Sequence, residues 1–116
     1  MISLKKVIEL LEAKIITGNS DLINECKNIY ASDLMSNVLA FSKKGSLLLT
    51  SLSNIQVVRT AIITELSAVC FVNKSNPEVE TIKLANMNDI ILLKTDKFLF
   101  DTCGILYNSG LFENKK

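Results

Sequence analysis

Histidine is absent from this chain of 116 residues, and its absence excludes several kinds of catalytic site. Ser-His-Asp and Cys-His systems need an imidazole base, which is also the commonest general base near neutral pH. Glycine is sparse as well, and the four glycines are too scattered for a phosphate-binding loop of the GxGxxG or GxxxxGK[ST] kind. We therefore expect a protein that is not an enzyme.

An excess of charge of either sign is also missing. The chain has 13 basic and 12 acidic residues, which gives a formal net charge of +1. Because nucleic-acid binding is dominated by the neutralisation of phosphates, we expect no nucleic-acid partner. No run approaches the ~20 apolar residues of a membrane span, and the first residues lack the pattern of a signal peptide. We therefore expect no association with a membrane.

Cysteines are few, odd in number and widely spaced, at Cys26, Cys70 and Cys103. No CxxC pair is present, so the sequence contains no local ligand pair for zinc or an iron–sulfur cluster. Cys70 lies inside an apolar run, where it is expected to act as a small core residue. Unpaired thiols are typical of a reducing compartment. We expect a cytoplasmic protein without a bound metal or other cofactor.

Three short apolar runs are the strongest pattern that the sequence contains. They cover residues 47–50, 68–72 and 90–93, and a polar turn and a helical pattern follow each of them. Unbroken apolar runs are typical of parallel strands that are buried on both faces. The sequence thus predicts an α/β fold, a three-layer α/β/α sandwich with a mainly parallel sheet. The length predicts a single domain over residues 1–110, with a C-terminal tail at 111–116.

Apolar periodicity and capping residues predict five helices. They cover residues 4–13, 34–41 and 54–66, a segment that begins at Pro77 with Asn76 as its cap, and a segment that follows a Thr95-Asp96 cap and ends near Gly110. Either Ser32 or Asp33 is expected to cap the second helix. A short strand is predicted at residues 14–17, and one or two further strands are predicted within residues 21–30.

Polar side chains follow the predicted strands at their carboxyl ends. In an open parallel sheet, ligands bind at this edge, close to helix N-termini that can hold an anion. We expect any ligand site to include Ser32, Asp33, Thr50, Ser53, Lys74, Lys94 and Thr95. The two lysines would contact an anion or a nucleotide phosphate. The competing interpretation is that these hydroxyl and carboxylate residues serve as helix caps alone, and the sequence leaves both interpretations open.

Three segments give the chain a resemblance to DRTGG-domain proteins. They are LKKVIELL at residues 4–11, YASDLMSNVLA at residues 30–40 and KGSLLLT at residues 44–50. The resemblance implies an α/β/α fold similar to the N-terminal domain of HPr kinase, and a regulatory or accessory role without established catalysis. It also implies a context, since related domains lie beside CBS domains in nucleotide-regulated pyrophosphatases. Stand-alone members are often encoded near hydrogenase and other redox genes.

Together, the residues and the resemblance favour a non-catalytic regulatory module. It would bind a small ligand, such as a nucleotide or an anion, or dock on a partner protein such as a redox enzyme. The alternatives are a small enzyme that uses the polar groups at the strand ends or a reactive Cys103, and a purely structural subunit. Apolar residues make up 48% of the chain, and the mean hydropathy is +0.31. Because a small domain cannot bury so much apolar surface, we expect a homodimer or a larger assembly.

Overall fold

The computed structural model describes residues 1–18 and 25–111. Its strands are β1 (Ile2–Ser3), β2 (Lys14–Thr17), β3 (Glu25–Cys26), β4 (Asn28–Ala31), β5 (Ser46–Thr50), β6 (Ala68–Phe71) and β7 (Ile91–Lys94). Its helices are α1 (Leu4–Leu11), α2 (Met35–Phe41), α3 (Ile55–Thr64), α4 (Val79–Met87) and α5 (Leu99–Tyr107). From β4 onward, strands and helices alternate along the chain. None of the helices in the described ranges is long and apolar enough to cross a bilayer.

Parallel strands form most of the main sheet. The strand order is β2-β7-β6-β5-β4, in which β4 to β7 are parallel and β2 pairs with β7 in the antiparallel direction. Every residue of β5 and β6 is buried, which explains why these segments are continuous rather than alternating apolar runs. β1 and β3 form a separate antiparallel pair. The predicted α/β fold with a mainly parallel sheet is confirmed.

Side chains of the sheet point alternately into two apolar cores, one on each face. Leu47, Leu49 and Cys70 belong to the core that α1 and α5 cover. Leu48 and Val69 belong to the core on the opposite face, which α2, α3 and α4 cover. The predicted three-layer α/β/α sandwich is confirmed, with two helices over the first face and three over the second.

Helix α4 begins later than the sequence predicts. Its N-cap is Glu78, so the prediction that Pro77 is the first helical residue and Asn76 its cap is wrong. The cause lies in the loop after β5, where the Ser53 carbonyl accepts hydrogen bonds from the Glu78 N–H at 3.1 Å and from Thr81 Oγ1 at 2.8 Å. This carbonyl holds the start of the helix in place of a side-chain cap.

Helix α5 takes its cap from a different loop. The prediction that Thr95-Asp96 caps this helix is wrong, because its N-cap is Phe98, which makes no side-chain cap hydrogen bond. Instead, the Leu99 N–H donates to Asn73 Oδ1 at 2.9 Å. Asn73 belongs to the loop after β6, so the start of α5 depends on a contact between residues far apart in sequence.

The other observed helix and strand ends agree with the predicted ones to within a few residues. Helices α1 and α3 end two residues before their predicted ends, where Glu12 and Glu65 adopt φ angles of 53° and 56°. Within the predicted strand region at residues 21–30, β3 and β4 are present, whereas residues 21–24 lie outside the described residues. The predicted tail at 111–116 also lies outside them, apart from Leu111, and the single domain over 1–110 stays a prediction.

The central position of β6 gives a direct test of the fold. Val69→Asp should unfold the protein, because Val69 is fully buried and a buried unpaired charge costs several kcal/mol, a large share of the ~5–15 kcal/mol that stabilises a domain. Urea unfolding followed by circular dichroism measures the loss. The matched control is Val79→Asp, at an exposed position at the start of α4, which should change the stability by no more than about 0.5 kcal/mol. A Val69→Asp protein with the wild-type midpoint would contradict the fold.

Candidate functional site

The carboxyl ends of β4, β5, β6 and β7 lie along one edge of the sheet, because these strands are parallel. We call this edge the carboxyl-end rim; it comprises the loops at residues 32–34, 51–54, 72–78 and 95–98, with the last residues of β5 and β7, Thr50 and Lys94. All seven predicted site residues lie in the rim. The side chains of Asp33 and Thr50 are in direct contact. The other five predicted residues lie elsewhere along the rim.

The Asp33 carboxylate links the first two loops of the rim. Its Oδ1 accepts hydrogen bonds from Thr50 Oγ1 at 2.8 Å and from the Ser51 N–H at 2.7 Å. Its Oδ2 accepts a hydrogen bond from Ser51 Oγ at 2.5 Å. The register explains this contact: Ala31 lies opposite Leu49, so residues 33 and 51 leave the sheet side by side. We call Asp33, Thr50 and Ser51 the Asp33 cluster.

Neither Ser32 nor Asp33 caps α2, so this expectation is wrong. The N-cap of α2 is Leu34, which makes no side-chain cap hydrogen bond. Ser32 Oγ accepts a hydrogen bond from the Leu34 N–H at 3.0 Å, before the helix begins. The hydrogen bonds of the Asp33 carboxylate described above run to Thr50 and Ser51 instead.

The Asp33 carboxylate is ionised at neutral pH. Partial burial acts to raise the pKa of Asp33, but hydrogen bonds from Ser51 and Thr50 outweigh it and hold the pKa below its ordinary value. The residue is exposed, and no salt bridge within residues 1–18 and 25–111 involves it. Hydrogen bonds therefore stabilise its charge. Such a carboxylate can accept hydrogen bonds from a hydroxyl or an amine of a ligand, and it repels a phosphate.

Ser53 and Thr95 make their observed contacts within the protein. Ser53 holds α4 through its backbone carbonyl, as described above. Thr95 is 2% exposed; its Oγ1 donates to the Leu11 carbonyl at 2.7 Å and accepts a hydrogen bond from the Lys97 N–H at 3.2 Å. To contact a ligand, the Thr95 hydroxyl would have to break its hydrogen bond to the Leu11 carbonyl at the C-terminal end of α1. The role of Thr95 in a ligand site stays a prediction.

Lys74 is exposed on a tight turn after β6. Asn73 and Lys74 adopt φ angles of 63° and 60°, and the Ser75 N–H donates to the Val72 carbonyl at 3.0 Å. Positive φ at both central residues is the geometry of a type I′ turn. The turn holds the backbone of Lys74 at the rim while leaving its side chain accessible to a ligand.

Lys94 is half-buried at the end of β7, and a second lysine lies beside it. In the antiparallel pair of β2 and β7, Lys94 is directly opposite Lys14. Opposed residues have Cβ atoms about 4.5–5.5 Å apart, and like charges in this arrangement are unfavourable. An anion bound next to both lysines would relieve this repulsion.

Sequence reasoning missed Ser51 and Lys14 as site residues. Ser51 supplies two of the three hydrogen bonds to Asp33 described above. The sequence places Ser51 next to Thr50 at the end of the first apolar run, but the predicted site does not include it. Lys14 gave no such signal, because the pairing of β2 with β7 in the antiparallel direction joins segments far apart in sequence.

A groove of about 180 Å³ opens between α5 and the edge strand β4, and we call it the α5 groove. It is lined by Ile29, Ala31, Leu49, Cys103, Leu106 and Tyr107.

Cys103 is the cysteine that lines this groove. Burial raises the pKa of its thiol above the ordinary value, and a hydrogen bond with Thr102 lowers it by a smaller amount. Because the thiolate is the reactive form of cysteine, this shift disfavours the alternative of a reactive Cys103.

The other two cysteines are core residues. Burial raises the pKa of Cys26 to about 11 and that of Cys70 to about 12, so both thiols stay protonated at neutral pH. Within the described ranges, no group of three or more Cys, Asp or Glu side chains is placed to hold a metal ion.

Comparisons with known proteins identify the fold. No family model and no curated protein matches the chain. The chain is similar to the crystal structure of the CBS and DRTGG domains of the regulatory region of Clostridium perfringens pyrophosphatase, complexed with the activator diadenosine tetraphosphate. The TM-score is 0.74 at 18% sequence identity, and the match covers 92% of this chain and 46% of that one. The chain therefore has a DRTGG-like fold, as the resemblance in sequence implies.

The contribution of the Asp33 cluster to stability should depend on pH. Asp33→Asn should lower the free energy of unfolding at neutral pH by about 1 kcal/mol or less, because it weakens hydrogen bonds at a solvent-screened position. The folded-state pKa of Asp33 lies below the unfolded value near ~4, so its contribution is complete above that pH. It is lost as the pH falls through the folded-state pKa.

Urea unfolding of the wild type and of Asp33→Asn from about pH 2 to pH 8 measures this dependence. We expect a constant difference between the two proteins above about pH 5 and a smaller difference in acid. A difference that grows as the pH falls would show that the folded structure raises the pKa of Asp33, contrary to the hydrogen-bond geometry.

Proposed function

We propose that the protein is a non-catalytic regulatory module that binds a small ligand at the carboxyl-end rim. The observation that carries the proposal is the Asp33 cluster, an exposed, ionised carboxylate that hydroxyl and amide donors hold in place at the edge of a parallel sheet. Ligands of open parallel sheets bind at this edge. In this role the Asp33 carboxylate accepts hydrogen bonds from hydroxyls or an amine of the ligand.

A nucleotide is the ligand class that suits the rim best. Its ribose hydroxyls can donate to Asp33, and its phosphates can bind near Lys74, or near Lys94 and its neighbour Lys14, away from the carboxylate. The structure with the similar fold comes from a regulatory region and contains a dinucleotide activator, which supports a nucleotide ligand for this chain. An anion without a sugar is the simpler alternative, and it would use the lysines but not Asp33.

A catalytic role has less support. The chain contains no histidine, and the shift in the Cys103 pKa is in the direction that disfavours nucleophilic attack. We therefore propose that ligand binding changes the behaviour of a partner protein without any chemical reaction. The resemblance to DRTGG-domain proteins points to a redox enzyme, such as one of a hydrogenase system, as that partner.

The proposed setting is the cytoplasm, and the proposed assembly is a homodimer. All three cysteines are free thiols, two of them buried, which suits a reducing compartment. Large apolar side chains remain exposed on several helices, including Phe41, Ile63, Met87 and Phe100. Where such side chains lie together in one patch, the patch often marks an interface.

Ligand binding can be tested with a thermal-shift screen of AMP, ATP, diadenosine tetraphosphate, adenosine and inorganic phosphate. A ligand at 100 times its Kd adds about 2.7 kcal/mol of stability, which gives a clear rise in the midpoint. Calorimetry should then show that Lys74→Ala weakens a phosphate-bearing ligand about fivefold, which corresponds to the ~1 kcal/mol of an exposed charge contact. Asp33→Asn should weaken nucleosides and nucleotides but not inorganic phosphate.

The matched control for these variants is Lys43→Ala. Lys43 is an exposed lysine before β5, at the opposite end of the sheet, and its loss should leave the Kd unchanged. Binding that is equally strong in Lys74→Ala, Asp33→Asn and Lys43→Ala would contradict a site at the rim.

A further inference from the structure

Helix α5 carries an apolar surface that its own fold does not cover. Its nine residues include a single charged one, Asp101, and a helix that is apolar around most of its circumference is normally buried. Here Thr102 and Leu106 are its buried residues. Phe100 is 87% exposed and Tyr107 is 78% exposed, so two of its aromatic rings point into solvent.

Phe100 and Tyr107 form one stripe along the helix, with the half-buried Gly104 between them and the exposed Asp101 outside it. Phe100, Gly104 and Tyr107 are spaced at i, i+4 and i+7 and therefore share a face of the helix. Cys103 lies beside this stripe and lines the α5 groove, as Tyr107 does. The stripe and the groove thus form one surface with a protruding ring at its N-terminal end and an apolar depression at its C-terminal end.

We propose that this surface is where a second copy of the chain docks, with the two α5 helices antiparallel across a two-fold axis that passes close to Gly104. The inference takes the proposed homodimer as its premise and assigns it a surface. In an antiparallel pair centred between residues 103 and 104, Phe100 of each copy faces the Tyr107 end of the other. The protruding ring of one copy then enters the α5 groove of its partner, so the surface is complementary to itself, as a two-fold interface requires.

Two aromatic side chains supply a large share of the area that a stable dimer needs. The exposed parts of Phe100 and Tyr107 amount to roughly 330 Å² per copy, taking about 200 Å² for an aromatic side chain. A standard interface buries about 800 Å² per partner, so these two side chains would supply about two fifths of it. Exposed aromatic residues and scarce charge are also the composition of interface centres.

Gly104 allows the two helices to approach closely. A Cβ atom built at this position meets no other atom within 4 Å, so the chain's own packing gives no reason for a glycine here. Glycine in a helix interior costs stability relative to alanine. In the proposed dimer, Gly104 lies at the crossing point, where the absence of a side chain lets the backbones pack against each other.

The α2 helix is the competing surface. It exposes Phe41, which is 67% accessible, and Leu39, but Ser36 and Asn37 interrupt its apolar character. Phe41→Glu is therefore a matched control for a substitution at Phe100, because both replace an exposed phenylalanine on a helix with the same charge.

Light scattering and sedimentation of the intact protein at tens of micromolar test the proposal. We expect the wild type to have twice the chain mass of 12.8 kDa, Phe100→Glu and Gly104→Leu to be folded monomers by circular dichroism, and Phe41→Glu to remain a dimer. A wild type that is a monomer would overturn both the homodimer and this surface. A wild type that is a dimer and stays one in Phe100→Glu would overturn the surface alone.

Cross-linking supplies an independent measurement. Each copy has one partly accessible cysteine, Cys103, since Cys26 and Cys70 are buried. Packed helices lie about 8–10 Å apart, so a bis-maleimide with a spacer of that length should join the two Cys103 thiols of a native dimer. Cys103→Ser should abolish the cross-link without changing the mass in solution. A wild-type dimer that gives no cross-link, although its Cys103 reacts with a monofunctional maleimide, would contradict the antiparallel α5 contact.

Discussion

Burial of the central strands on both faces is the constraint on which the rest of the structure depends. Every residue of β5 and β6 is buried, so successive side chains must fill two different apolar cores. Each face needs its own layer of helices, and the polypeptide can turn only at the two ends of the strands. The loops that connect strands to helices therefore lie at these ends, and their polar groups lie there with them. The same constraint that stabilises the sheet decides where a ligand site can form.

At the carboxyl end, neighbouring loops hold one another through a few hydrogen bonds. The loop after β4 binds the loop after β5 through Asp33, and the loop after β5 binds the start of α4 through the Ser53 carbonyl. The loop after β6 binds the start of α5 through Asn73. The predicted caps of α4 and α5 are thus replaced by contacts between loops. This arrangement fixes the rim before any ligand binds and leaves Asp33 exposed, which favours a site of defined geometry.

The sequence predicted those features that local patterns encode. Unbroken apolar runs gave the parallel strands β5, β6 and β7, and the predicted starts of α1 and α3 lie within one residue of the observed ones, where Ser3 and Asn54 cap the helices through their own side chains. The caps of α4 and α5 were predicted wrongly, because their partners, Ser53 and Asn73, come from other loops. Lys14 was missed because its antiparallel pairing with Lys94 joins segments far apart in sequence, whereas Ser51 was left out of the predicted site although it follows Thr50 directly. The predicted ligand roles of the seven rim residues remain hypotheses that binding experiments must decide.

The two proposals assign two functional surfaces to the molecule, a ligand site and a dimer interface. The rim lies at one end of the sheet and suits a small polar ligand, whereas the outer face of α5 is apolar and suits a second copy of the chain. Helix α5 begins at the rim, where Asn73 holds its first turn, and it continues into the proposed interface. A ligand that displaces the loop after β6 would thereby act on the helix that carries the proposed interface.

Amide chemical shifts recorded during a titration with the ligand that gives the largest thermal shift test the central claim most directly. The account predicts that the largest changes fall on residues 32–34, 50–53 and 73–75 at the carboxyl-end rim. Changes concentrated at residues 43–46 and 65–67, at the amino end of the sheet, would contradict it and would leave the Asp33 cluster with a purely structural role.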